Sequence, residues 1–191
     1  MNIINFKNHL LISMPQLNHS FFYQTIIYIY QDTEKEIKGV IINKKINNLT
    51  IQEFFQQLKI KSIKKNIFKK INNPIIFGGP IEKNKGLILH SFKKNFLADI
   101  YVSKKISITS SKDILENLNE KKKFKKLLII LGHCSWNRKQ LKKEILNNNW
   151  LLITANKDIL FNTSLEEKWG KCIRILGIKN FYALTIEYGK I

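Results

Sequence analysis

Two cysteines, three prolines, eight glycines and two arginines among 191 residues leave this chain short of several common devices. Cys134 and Cys172 lie far apart and make no paired-ligand spacing with each other or with His9, His19, His90 or His133. That excludes a disulfide framework and a zinc-type metal site, implies no cofactor of that kind, and fits a reducing cytoplasm. No apolar run approaches the ~18 residues that a bilayer-crossing helix needs, and the apolar patch Leu10–Ile12 is too short for the core of a secretory signal. Neither secretion nor a membrane partner is expected. The scarcity of proline and glycine also leaves no flexible linker and no internal repeat, so residues 1–191 are expected to form one domain.

Apolar surface is ample. A composition 44% hydrophobic and 11% aromatic is far from that of a disordered chain. Charge is ample too, with a formal net value of +19, yet 31 of the 33 basic residues are lysine. Planar, bidentate recognition of phosphate and guanine favours arginine, here only Arg138 and Arg174. Lysine is accompanied by 33 isoleucines and 21 asparagines, the residues that AT-rich codons favour, so part of the charge reads as mutational bias. Its field still acts on partners: weak, salt-sensitive association with polyanions is expected, and reading of base sequence is not.

Runs rich in β-branched and aromatic residues predict strands over Leu10–Ser13, Thr25–Tyr30, Gly39–Asn43, Pro74–Phe77, Gly86–His90, Leu97–Val102, Ile106–Thr109, Leu127–Leu131 and Trp150–Thr154. So many strands with few helices between them point to an α+β arrangement. Helix starts are marked by caps. Thr50 with Glu53 makes a capping box ahead of Ile51, Phe54, Phe55 and Leu58. Ser110 with Asp113, Asn137 with Gln140, and Thr163 or Ser164 with a glutamate three residues on mark three more. The last leads into the stripe Leu165, Trp169, Cys172, Ile173 and Leu176, closed by Gly177. Ile60, Ile63 and Ile67 recur at helical spacing within the lysine-rich stretch Lys59–Lys70, an amphipathic helix with a solvated basic face, and Lys121–Lys126 reads as a surface loop.

Two segments invite a chemical reading. Gly78-Gly79-Pro80 follows an apolar strand and offers either an anion-binding nest or a tight turn. The turn is preferred, because Ile81-Glu82-Lys83-Asn84 lacks the Lys-Ser/Thr pair of a phosphate loop and leads back toward Gly86. The segment Leu127–Leu131, Gly132, His133-Cys134-Ser135 resembles a strand-turn-helix that would set a thiol at a helix N-terminus, with an imidazole beside it. Against a catalytic role, chain neighbours often point apart, and no paired glycines surround Cys134 in the nucleophile-elbow sense. Trp136, Trp150 and Trp169 read as packing residues, with no interleaved aromatic and basic run to make a base-stacking surface.

Three dispersed signatures carry a family resemblance. The first is Met14-Pro15-Gln16-Leu17 with Phe22 and Gly39-Val40-Ile41-Ile42-Asn43-Lys44. The second is Phe77-Gly78-Gly79-Pro80 with Gly86-Leu87-Ile88-Leu89-His90. The third is Leu131-Gly132-His133-Cys134-Ser135-Trp136 with Gln140-Leu141, Glu144, Trp150-Leu151, Ile159-Leu160-Phe161 and Trp169. In order and spacing they resemble the bacterial YqgE/AlgH family from about residue 9 to 178. His19, Lys45, Lys139 and Lys142 depart from its usual pattern. The resemblance implies a bifurcated mixed sheet, partly closed into a small barrel and surrounded by helices, and the AlgH half of the name implies a regulatory role without a mechanism. It also implies that family members carry small unreactive residues at the Cys134 position. The expectation is a non-enzymatic protein that binds a protein partner. Its binding residues would lie on the signature loops: Gly78, Gly79, Pro80, His90, Gly132, His133, Ser135 and Trp136. A nucleic-acid-associated regulator using the lysine-rich surface is the alternative, and a Cys/His enzyme the third reading.

Overall fold

The computed structural model describes residues 5–17, 20–57, 74–92, 98–110 and 124–179. In chain order they form β1 (His9–Ser13), a 3-10 turn (Pro15–Leu17), β2 (Ile26–Asp32), β3 (Ile37–Ile41), α1 (Ile51–Gln57), β4 (Ile76–Phe77) and β5 (Ile81–Phe92). There follow β6 (Ile100–Ser103), β7 (Ile106–Thr109), β8 (Phe124–Trp136), α2 (Arg138–Leu146), β9 (Trp150–Thr154), α3 (Lys157–Phe161) and α4 (Leu165–Ile175). The expected α+β class is observed, with a mixed sheet: β1–β2, β1–β9, β2–β3, β5–β7, β5–β8 and β6–β7 are antiparallel and β4–β8 is parallel. The helix expected to follow the Ser110 cap, the basic helix of Lys59–Lys70 and the lysines 121–123 lie outside the described residues, which end at Ser110 in that stretch. No helix among the described residues is long and apolar enough to cross a membrane.

Two compact units emerge, one from residues 1–43 with 135–191 and the other from 44–134. In the first, β3, β2, β1 and β9 lie side by side, Leu10 pairing with Tyr28 on one flank and Ile153 on the other. Leu10, Leu11 and Ile12 are all fully buried, as are Ile26 to Ile29, so both faces of these strands are covered. A strand wet on one face would alternate; unbroken apolar runs are what double coverage selects. Asn137 Oδ1 accepts from the Gln140 amide at 2.8 Å and starts α2. Asn156 does the same for Ile159 at 2.9 Å and starts α3, a helix the periodicity did not reveal because it is only five residues long.

In the second unit the order is β6-β7-β5-β8, with β4 also on β8. The capping box forms as expected: Thr50 N–H donates to Glu53 Oε2 at 2.8 Å, and Glu53 N–H donates to Thr50 Oγ1 at 3.2 Å. Phe54 and Phe55 are buried, Phe54 reaching over Gly86. Two expectations are corrected here. The turn placed at Ile81–Asn84 is instead the start of β5: Ile81 pairs with His133 and Gly86 with Leu131, so Glu82–Lys85 bulge from a continuing ladder. The loop placed at Lys121–Lys126 yields its last three residues to β8, with Lys126 paired to Ser91.

Candidate functional site

The signature glycines meet across the parallel β4/β8 pair. Ile76 lies beside Ile130 and Phe77 beside Leu131, and the Gly78 N–H donates to Leu131 O at 2.7 Å. The two backbones then come closer than side chains permit. A Cβ on Gly78 would lie 2.3 Å from Gly132 O, one on Gly79 2.2 Å from His133 O, and one on Gly132 2.4 Å from Gly79 O. Gly132 also has φ +77, a left-handed conformation that other L-residues resist. The Gly78 N–H, which an anion nest would use, is engaged by Leu131 O, and Gly132 is a kink inside β8.

Because β8 continues to Trp136, Cys134 sits within a strand and not at a helix N-terminus, which corrects the strand-turn-helix reading. It is 3% exposed, and its Sγ donates to Gly78 O at 3.6 Å. Burial pushes the thiol up to about 12, away from the thiolate that nucleophilic chemistry requires. His133 is also buried, with Nδ1 3.5 Å from a carboxylate oxygen of Glu82 on the bulge.

His90 stands elsewhere on the same sheet. It pairs with Ser107 on β7 and Leu127 on β8, five residues along β8 from Gly132, or about 17 Å of strand. Fully buried, its Nε2 shares a 3.3 Å hydrogen bond with Thr109 Oγ1. Burial lowers its pKa to about 4, against the weaker opposing pull of Asp99. Thus Gly78, Gly79, Gly132 and His133 come together with the exposed Pro80 beside them, and His90 does not join them.

Ser135 and Trp136 belong to the other unit. Ser135 Oγ donates to Glu36 Oε2 at 3.4 Å, and Glu36 in turn pairs with Lys38 at 2.6 Å. Trp136 and Trp150, both buried, donate their Nε1–H to one oxygen of Glu144 at 3.0 and 2.8 Å, and Gln140 donates to the other at 2.9 Å. A single carboxylate therefore ties two indoles of the third signature together. Phe22 packs edge-on to Trp150, with ring centroids 5.4 Å apart. That contact anchors the turn Ser20–Gln24, leaving its neighbours Phe21 and Tyr23 49% and 48% exposed.

Sequence reasoning missed two charged residues that the fold uses. Asp32 accepts from the Phe6 amide at 2.7 Å and pairs with Arg138, whose guanidinium lies 5.9 Å over the Phe6 ring. Lys168 is 1% exposed, and its Nζ donates to the carbonyls of Ile159, Leu160 and Thr163 at 2.5, 2.9 and 3.0 Å. It closes the C-terminal end of α3, where carbonyls lack helical partners. Its place three residues after Leu165 and four before Cys172 was the available signal, since that spacing puts it on the buried stripe. Among the described residues no three His, Cys, Asp or Glu side chains gather to hold a metal ion.

Fold and signatures together define an α+β protein whose signature residues are largely engaged in its own packing. The chain belongs to the AlgH-like family, whose model matches residues 10–180. It is similar to a UPF0301 protein of Buchnera aphidicola subsp. Baizongia pistaciae, 47% identical over 98% of both chains. A UPF0301 protein of Yersinia pseudotuberculosis is 39% identical, over 78% of this chain and 79% of that one. Among solved structures, AlgH of Pseudomonas aeruginosa superposes with a TM-score of 0.76 at 28% identity, covering all of both chains. A Corynebacterium diphtheriae protein shares the fold at a TM-score of 0.70 and 16% identity, over 92% of this chain and 89% of that one.

Proposed function

We infer that the protein works by binding a protein partner, without catalysis, and that the contact surface includes the turn Ser20–Gln24. The observation that carries this reading is the pair of half-exposed rings, Phe21 and Tyr23, on a signature loop that Phe22 pins against Trp150. Aromatic side chains held by a rigid support are favoured anchors at interfaces, because they bury large area and lose little rotamer freedom. The catalytic alternative has less support. Its thiol, Cys134, is buried and held far from ionisation, and its neighbour His133 faces the Glu82 carboxylate. Of the expected binding residues, Pro80 is the exposed one and extends the candidate surface in its own unit.

The test is affinity capture from cells of the source bacterium, using wild type and a Phe21→Ala/Tyr23→Ala variant of unchanged thermal midpoint. Partners enriched with wild type and lost with the variant support the reading. Equal capture by both removes the turn from consideration. A hydrolytic turnover that vanishes in Cys134→Ala would replace the reading with the enzymatic one.

A further inference from the structure

The charge of this chain is unevenly placed. Residues 44–134 hold 20 lysines against six acidic residues and so carry +14 of the net +19. Within that unit, one row of paired residues crosses four strands: Tyr101 on β6, Ser107 on β7, His90 on β5 and Leu127 on β8. Just beyond the row, at one end of the ladder, lie Lys104 and Lys105 in the β6–β7 turn and Lys126 on β8, all exposed. Ser107 and His90, in the middle of the row, are fully buried, and Lys126, next to Leu127, faces the other side of the sheet; the open part is the β6 end, where Lys104 and Lys105 follow the exposed Tyr101. At the row's outer end Tyr101 is 47% exposed on β6, the last strand in the order. Its hydroxyl accepts from the Ala98 amide at 3.3 Å, which fixes the ring. Asp99, the nearby acid, is held by the Ser110 amide and hydroxyl at 2.6 and 2.7 Å, beyond the opposite end of β7.

We propose that this sheet edge binds single-stranded nucleic acid without sequence preference, Tyr101 stacking on a base while Lys104 and Lys105 contact neighbouring phosphates. A fixed aromatic face bordered by cations is what unpaired strands use, because every base has a stacking surface and every nucleotide a charge. Lysine in place of arginine suits backbone contact over base reading. Duplex DNA offers no unstacked base to Tyr101, and a lipid surface has no use for a lone ring on a strand edge with its hydroxyl tied back. This proposal does not depend on the protein-partner reading.

The experiment is fluorescence anisotropy with a labelled 20-nucleotide oligothymidylate between 50 and 300 mM KCl, beside the same oligomer as a duplex and vesicles containing anionic lipid. Two phosphate contacts give a slope of log K against log salt of about −1.4 for a single strand. Lys104→Glu/Lys105→Glu is expected to reduce that slope to about zero. Tyr101→Ala is expected to weaken binding about 5- to 150-fold and leave the slope unchanged. Lys142→Glu/Lys143→Glu, on exposed positions of α2 in the other unit, should leave binding as it was. No measurable binding at 50 mM salt overturns the proposal. So do binding indifferent to Tyr101 and to Lys104/Lys105 in variants of wild-type thermal midpoint, tighter binding to the duplex, or vesicle binding that needs these residues while the oligomer is ignored.

Discussion

Replacing the crossing glycines by alanine is the sharpest probe of what the signatures do. At position 78 the added methyl group would sit 2.3 Å from Gly132 O and 2.4 Å from Ile130 Cγ2; at 132 it would sit 2.4 Å from Gly79 O and 3.1 Å from Ile81 O. Ordinary carbon contacts begin near 3.4 Å, so β4 and β8 must part by about 1 Å, straining the Gly78 N–H to Leu131 O bond. Overpacking of this kind costs roughly 1–3 kcal/mol. Alanine at the φ of +77 adds about 1–2 kcal/mol for Gly132→Ala. The expected losses are therefore roughly 1–3 kcal/mol for Gly78→Ala and about 2–5 kcal/mol for Gly132→Ala. With a urea m-value of about 2 kcal/mol per molar, the midpoints fall by roughly 0.5–1.5 M and 1–2.5 M. Gly170→Ala is the control of opposite sign. It lies inside α4 with its nearest neighbour, Arg174 Nη1, at 3.7 Å, so alanine should stabilise by about 0.5–1 kcal/mol. The readout is far-ultraviolet circular dichroism through a urea titration. Midpoints for both crossing variants within ~0.3 M of wild type would refute the backbone crossing and return the glycines to an anion nest.

Native protein at pH 8 should resist iodoacetamide at both thiols, because burial holds Cys134 near 12 and Cys172 near 11; mass spectrometry showing Cys134 alkylated at the rate of a free thiol would contradict this. Glu144→Ala strands two buried indole N–H groups and is expected to cost roughly 2–4 kcal/mol and to change tryptophan emission. Glu144→Gln, keeping one acceptor oxygen, should lie between the two, and an unchanged midpoint in both variants would refute the bridge. His90 titrates near 4 in the fold and near 6.5 when unfolded, so the unfolded chain binds more protons between those values and stability is lost as the pH is lowered from 6.5 to 4. The loss amounts to about 3 kcal/mol at most. His90→Gln should flatten the dependence of the urea midpoint on pH between 6.5 and 4, and an unaltered slope would show that another group carries it.

Elements whose cause is local were legible in the sequence. The capping box at Thr50 and Glu53 works through groups three residues apart, and the apolar runs of β1, β2 and β9 declare their burial directly. What stayed hidden depends on partners distant in the chain. Gly78 and Gly132 are 54 positions apart, and nothing near either one tells a turn glycine from one that admits another backbone. Gly132 looked like a strand terminator. A kink compensated by the Glu82–Lys85 bulge lets β8 resume beyond it, so the thiol expected at a helix start lies in a strand. That Tyr101 is half-exposed likewise depends on β6 lying last in the strand order, which its own run of residues does not disclose.

The orientation of the polar signature atoms bears on where function resides. Cys134 donates to Gly78 O, Trp136 and Trp150 to Glu144, and Trp169 Nε1 to Ser13 O at 3.2 Å. Each serves a group of the protein itself, and each would leave a buried donor or acceptor unmet if replaced, which is the costly direction of asymmetry for hydrogen bonds. A signature built this way specifies a body and does not by itself report what that body binds. Under the two proposals made above, partner choice rests on side chains the fold does not need. Here those are Phe21 and Tyr23 on one unit and Tyr101 with its flanking lysines on the other, which places the discriminating experiments at exposed aromatic rings rather than at the buried cysteine and histidines.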